Sequence, residues 1–137
     1  MIDEGRGGWM QEELIGQTKN NSILTGFVDD NDLPYMITGS KALVLPSLYE
    51  GFGIPVVEAM VCGVPTVVSN ISSLPEIVES AAILLDPYDI GSISNGIKEA
   101  CYNKSKREML IKKGFEQIKK FSWENSAKLI LNTLINL

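Results

Sequence analysis

Three short runs constrain this chain more than any other feature: KALVLPS at 41–47, VPTVVS at 64–69 and AAILLD at 81–86. Their apolar residues are consecutive rather than alternate, and a strand of that kind has to be buried on both faces. Helical signals lie between them. GIPVVEAMVCG (53–63) carries Pro55 near a first turn and Gly63 at its end. SSLPEIVES (72–80) is shorter, and Ser73 with Glu76 has the spacing of a capping box. DLPYMITGS (32–40) reads as a helix before the first run, and SILTG (22–26) as one more short strand. Strands of this type alternating with helices predict an α/β fold, a parallel sheet covered on both sides.

From about residue 89 the pattern becomes all helical. Ile90, Ile93, Ile97, Ala100 and Cys101 share one face, Ile111, Phe115 and Ile118 a second, and Trp123, Ala127, Ile130, Leu131 and Leu134 a third. Ser105 with Glu108 suggests the cap of the middle helix, and Ser122 that of the last.

The chain has 137 residues, 45% hydrophobic and 21% charged, which suits one globular domain with a core. A net charge of −5 excludes a general nucleic-acid surface and any broad attraction to anionic lipid. An anionic small ligand would need local donors such as a helix N-terminus. No apolar run approaches the ~18–20 residues that span a bilayer, and the first ten residues lack a signal-peptide layout. Cys62 and Cys101 lack metal-like spacing and read as reduced cytosolic thiols. Histidine is absent, which removes histidine triads, metal ligands and general bases from these residues.

In a parallel sheet ligands bind beyond the carboxyl ends of the strands, and PSLYEGFGIPVVEAM (46–60) stands at such an end. Gly51 and Gly53 would let backbone approach a ligand, and the helix starting near Pro55 directs free N–H groups into the loop, a setting for a diphosphate. An ordinary strand–helix turn explains the same glycines. Glu58, among Ile54, Val56, Val57, Ala59, Met60 and Val61, is either a partly solvated carboxylate favoured by the helix dipole or an acceptor for a vicinal diol such as a ribose. Glu50 is either a solvated loop residue or an acceptor for a sugar hydroxyl.

The run from Glu50 to Glu58 resembles the E-x7-E motif of retaining GT-B glycosyltransferases, nearest to the mannosyl- and glucosyltransferases that build bacterial and archaeal glycans. GWM (8–10), TGFVDDNDLP (25–34), LPSLYEGFGIPVVEAMVCGVPTVVSN (45–70), SSLPEIV (72–78), LLDP (84–87) and FSWENSA (121–127) follow the family's order, so the resemblance covers about residues 7–130. It implies a Rossmann-like donor domain with strand order 3-2-1-4-5-6. Residues 7–88 would be its donor-binding part and residues 89–137 its C-terminal helices. Glu58 would hold the ribose of a nucleotide sugar and Glu50, the expected catalytic residue, a hydroxyl of the donor sugar. Gly51 belongs to the same loop, and the backbone of Phe52, Gly53 and Ile54 would meet sugar and diphosphate. Phe27 and Val28 would lie near the base.

The resemblance further implies transfer with retained configuration from a GDP- or UDP-sugar, GDP-mannose first, to a glycan or lipid-linked acceptor. No metal and no separate cofactor are expected. The enzyme would be cytoplasmic, either free or peripheral at the inner membrane face, with no nucleic-acid partner and no oligomeric state specified. Asp29-Asp30-Asn31-Asp32 could suggest a metal-binding D-x-D, but a solvated turn leading into the next helix is the plainer reading.

The family's diphosphate-neutralising Arg and Lys should lie upstream of GWM, where only MIDEGRG stands. Arg6 is too near the start to assign, and Lys41 precedes its strand, at the wrong end of the sheet. The first and second strands and the acceptor-binding domain also lack counterparts, so a sheet incomplete at its N-terminal side and a donor-domain fragment inactive alone are expected. A non-enzymatic nucleotide-sugar-binding or protein-docking remnant is the alternative. Sugar-nucleotide epimerisation on the same fold is disfavoured by the E-x7-E with GFGIP.

Overall fold

All three continuous apolar runs form strands. The computed structural model describes residues 22–23 and 25–136, and the chain divides into two units, Met1–Tyr35 and Met36–Leu137. In chain order the described elements are α1 (Leu33–Thr38), β1 (Leu43–Leu45), α2 (Ile54–Val61), β2 (Thr66–Ser69), α3 (Leu74–Val78), β3 (Ile83–Leu85), α4 (Ile90–Tyr102), α5 (Lys104–Gln117), a 3-10 turn (Ile118–Lys120) and α6 (Trp123–Ile135).

The strands form a parallel sheet in the order β1-β2-β3. Leu43 pairs with Thr66 and Leu45 with Val68, and Val67 pairs with Ile83 and Ser69 with Leu85. All four residues of the central strand are buried. Alternate residues of the strands enter opposite cores, as the two-residue period of a strand requires. Leu43, Leu45 and Val68 join Val56, Met60, Leu74, Val78 and Ala81 on one side. Val44, Val67 and Leu85 join Ala100 and Ile93 on the other. The helices on both faces explain why the strands are apolar without alternation.

Two glycines permit close packing. At Gly96 in α4 a Cβ would stand 2.8 Å from Val67 Cγ1, so this helix lies directly on the central strand. Gly63, at φ 68°, ends α2 with a Schellman closure, its N–H bonding Met60 O at 3.1 Å and that of Val64 bonding Ala59 O at 2.9 Å. Buried Gln117, near the end of α5, donates from Nε2 to Ile77 O at 2.8 Å and ties that helix to α3.

Several expectations change. Ser22, Ile23, Thr25 and Gly26 lie in no strand; Leu24 is outside the described residues, as is the GWM block. A strand exists through its ladder, and this segment has no ladder partner among the described residues; Gly26 also turns to φ 65°. Ser105 does not cap α5. Asn103 does, accepting from Lys106 N at 3.1 Å, while Ser105 Oγ donates to Asn103 Oδ1 at 3.0 Å. Ile90 is exposed rather than part of the packed face of α4. It follows directly on the N-cap, where Asp89 accepts from Gly91 N at 2.8 Å, before the helix settles on the sheet.

Ser122 caps α6 as expected, accepting from Asn125 N at 3.0 Å. The apolar side of that helix, however, is exposed: Trp123, Ile130, Leu131 and Leu134 are all solvent-facing among the described residues, and the helix buries none of its residues. Periodicity identifies the apolar side of a helix but not what covers it.

Candidate functional site

Because the sheet is parallel, the segments 46–53, 70–73 and 86–89 all leave strands at their carboxyl ends. The first carries Glu50 and leads into α2. Residues 46–60 include no Lys, Arg or His, so an anion in this segment would rely on backbone N–H groups.

Glu50 is half-buried, and its carboxylate Oε1 accepts from Ser47 Oγ at 2.8 Å. Its backbone is gripped from the loop after β2. Glu50 N donates to Ser72 Oγ at 3.1 Å, and Glu50 O accepts from Ser72 Oγ and Ser73 Oγ, each at 2.8 Å. One hydroxyl can accept one bond and donate another, and one carbonyl can take two donors, so the set is self-consistent. Ser72 reaches this position at φ 60°, in the left-handed region.

The capping box expected at Ser73 and Glu76 is therefore not made. Ser73 occupies the N-cap of α3, but its side chain makes no cap bond and donates to Glu50 instead. A three-residue pattern cannot reveal a partner 23 residues away, nor one 22 residues away as for Ser72.

Gly53 is the N-cap of α2, at φ 86° and ψ 52°. A Cβ here would stand 2.7 Å from Leu74 Cδ2 in α3, so packing as well as torsion requires glycine. Gly51 differs. Its φ is not in the left-handed region, and a Cβ would meet nothing within 4 Å, so the fold itself does not require glycine there.

Phe52 is 41% exposed and packs edge-on against Phe121, with ring centroids 5.5 Å apart and planes at 87°. Ile54 is exposed on the first turn of α2, where Val56 N bonds Gly53 O at 3.0 Å. Glu58 is half-buried one turn further on. Glu50, Gly51, Phe52, Gly53, Ile54 and Glu58 thus lie on one loop and the helix it enters. Phe27, exposed, and Val28, half-buried, belong to the other unit. There Asp29 closes an exposed turn, its Oδ1 accepting from Asn31 N at 2.9 Å and Nδ2 at 2.7 Å. Those two bonds, the backbone one foremost, hold its carboxyl below the ordinary carboxylate range. Lys41 immediately precedes the β1 run, with its ammonium 5.3 Å from the ring centroid of Tyr102. Among the described residues no helix is long and apolar enough to cross a membrane.

A parallel sheet carrying a Glu-bearing glycine loop at a strand's carboxyl end, with a helix starting from that loop, is compatible with the GT-B fold, and comparison with known proteins shows that family. The family model for glycosyl transferases group 1 matches residues 11–117. The chain belongs to that family. It is 47% identical over 138 residues to the O-antigen chain mannosyltransferase B of Escherichia coli, covering 96% of this chain and 36% of that protein. It is 37% identical over 125 residues to the serotype-specific mannosyltransferase WbdA of Escherichia coli, covering 91% of this chain and 15% of that one. Among solved structures, the sucrose-phosphate synthase of Thermosynechococcus elongatus superposes with a TM-score of 0.75 at 28% identity, over 93% of this chain and 33% of that chain. Anabaena HepE, solved with UDP and glucose, superposes at 0.81 over 92% of this chain and 36% of its own, a likeness of fold at 24% identity.

Proposed function

We propose that these residues form the donor-binding part of a retaining glycosyltransferase that moves a hexose, mannose in the first instance, from a GDP- or UDP-sugar to a glycan or lipid-linked acceptor. Residues 7–88 bind the donor and residues 89–137 form the helices that complete this part. Glu58 accepts from the ribose hydroxyls and Glu50 from a hydroxyl of the sugar. The backbone of Phe52, Gly53 and Ile54 meets sugar and diphosphate at the start of α2. The transition state is oxocarbenium-like with a departing nucleoside diphosphate, so the protein's work is charge stabilisation and placement of the acceptor. The reaction runs on the cytoplasmic side, at the inner membrane face where the enzyme attaches peripherally.

The observation that carries this reading is the fixed position of Glu50, at the carboxyl end of β1 and beside the N-terminus of α2. The mannosyltransferase names of the two Escherichia coli relatives support the choice of sugar. Calorimetric titration of the complete polypeptide that carries these residues with GDP-mannose, UDP-glucose, GDP and UDP tests it. Glu58→Ala is expected to weaken nucleotide and nucleotide sugar alike, and Glu50→Ala to weaken only the sugar-bearing ligands. Equal affinity of both variants and the parent for every ligand would overturn the assignment. The chain matches 36% of the length of the O-antigen enzyme, so the 137 residues alone are expected to bind weakly and to catalyse no transfer.

A further inference from the structure

We infer that Ser47, Ser72 and Ser73 are positioning residues that hold Glu50 in register for the donor sugar, an inference that rests on the role proposed above for Glu50. Glu50 lies in a loop without regular structure of its own, and such a loop positions a side chain poorly unless other groups fix it. Here three hydroxyls fix it with four hydrogen bonds, one on the carboxylate and three on the backbone.

The arrangement has local costs that nothing in the loop 70–73 itself explains. Ser73 stands where its hydroxyl could satisfy an amide at the start of α3, and instead spans to Glu50. Ser72 keeps a left-handed backbone that disfavours any side chain, and the pair of bonds it exchanges with Glu50 over-determines that conformation. Ser47 engages Oε1 alone, which leaves the second carboxylate oxygen to accept from a sugar hydroxyl. The two serines from the β2 loop place the Glu50 backbone, and Ser47 sets the rotation of its carboxylate.

The test uses the complete polypeptide that carries these residues, with whichever of GDP-mannose and UDP-glucose supports turnover. Ser47→Ala and Ser73→Ala are each expected to lower kcat/KM for the donor about tenfold, the loss of one part-buried hydrogen bond to the carboxylate or the backbone of Glu50. Affinity for the free nucleoside diphosphate should stay within about twofold of the parent, because Glu50 contacts sugar and not nucleotide. Ser47→Thr, which keeps the hydroxyl, should recover most of the loss. In a Glu50→Ala background Ser47→Ala should cost nothing further.

An undiminished tenfold cost in that background would overturn the inference, since Ser47 would then act on something other than Glu50. So would equal weakening of free diphosphate and donor sugar, which would mean general collapse of the loop. If Glu50→Ala itself leaves transfer unchanged, the proposed role of Glu50 is what has failed. If Glu50→Ala is severe and the serine variants match the parent, only the positioning inference fails.

Discussion

Replacing Ser72 by alanine and, separately, by glycine isolates two opposing effects at one residue. Both variants lose the hydroxyl and hence the bonds at 3.1 and 2.8 Å to the Glu50 backbone. At about 1 kcal/mol each for exposed bonds, that is a loss of about 1–2 kcal/mol. Alanine also keeps the φ of 60°, at the same left-handed cost of about 1–2 kcal/mol that the serine bears. Glycine removes that cost but adds about 0.5–1 kcal/mol of unfolded-chain entropy. The glycine variant should therefore be more stable than the alanine variant by about 0.5–1 kcal/mol, while the alanine variant falls about 1–2 kcal/mol below the parent. With a urea dependence of about 2 kcal/mol per molar, the alanine midpoint drops by about 0.5–1 M and glycine recovers about 0.4 M. Urea unfolding followed by tryptophan fluorescence and circular dichroism reads both shifts. An alanine variant that unfolds with the parent would show that the serine bonds carry no load. A glycine variant that unfolds before the alanine one would refute the strain argument.

Gly53→Ala should cost about 2–4 kcal/mol, combining a left-handed torsion with a 2.7 Å approach to Leu74, and thermal unfolding should show non-additivity with Leu74→Val. Gly96→Ala gains up to about 1 kcal/mol of helix propensity but drives a methyl to 2.8 Å from Val67, so a net destabilisation of about 1 kcal/mol is expected in the same assay. Glu79 is held below its ordinary value of 4.5 chiefly by the hydrogen bond from Lys120, with Gln117 and the Lys120 charge adding to it. A depressed carboxylate stabilises the fold above its unfolded value and loses that contribution as pH falls through the folded one. Lys120→Ala should accordingly be less stable than the parent at pH 7, with the gap closing below 4.5; unfolding curves across that range check the sign.

The sheet and its order of helices were legible in the sequence because a strand buried on both faces leaves an unbroken apolar run, and VPTVVS becomes the wholly buried centre. The Glu50–Glu58 stretch was legible as a loop feeding a helix because Pro55 marks that helix's first turn and Gly63 its end. Features set by long-range partners were not. Ser73 looked like a cap because its near neighbours fit one, whereas its partner arrives from the loop after β1. Gly51 and Gly53 are indistinguishable in a string of letters, and only the position of Leu74 separates them. Nor did the sequence single out Phe121, since an aromatic beside a helix cap says nothing of the ring it meets.

The contact between Phe52 and Phe121 joins the tip of the glycine loop to the turn from which α6 departs. An edge-on aromatic pair contributes about 1 kcal/mol beyond its buried area, a modest addition to what holds the loop tip. The α6 end is thus tied to the tip of the glycine loop through a single ring pair, while the serine bonds hold the same loop from behind.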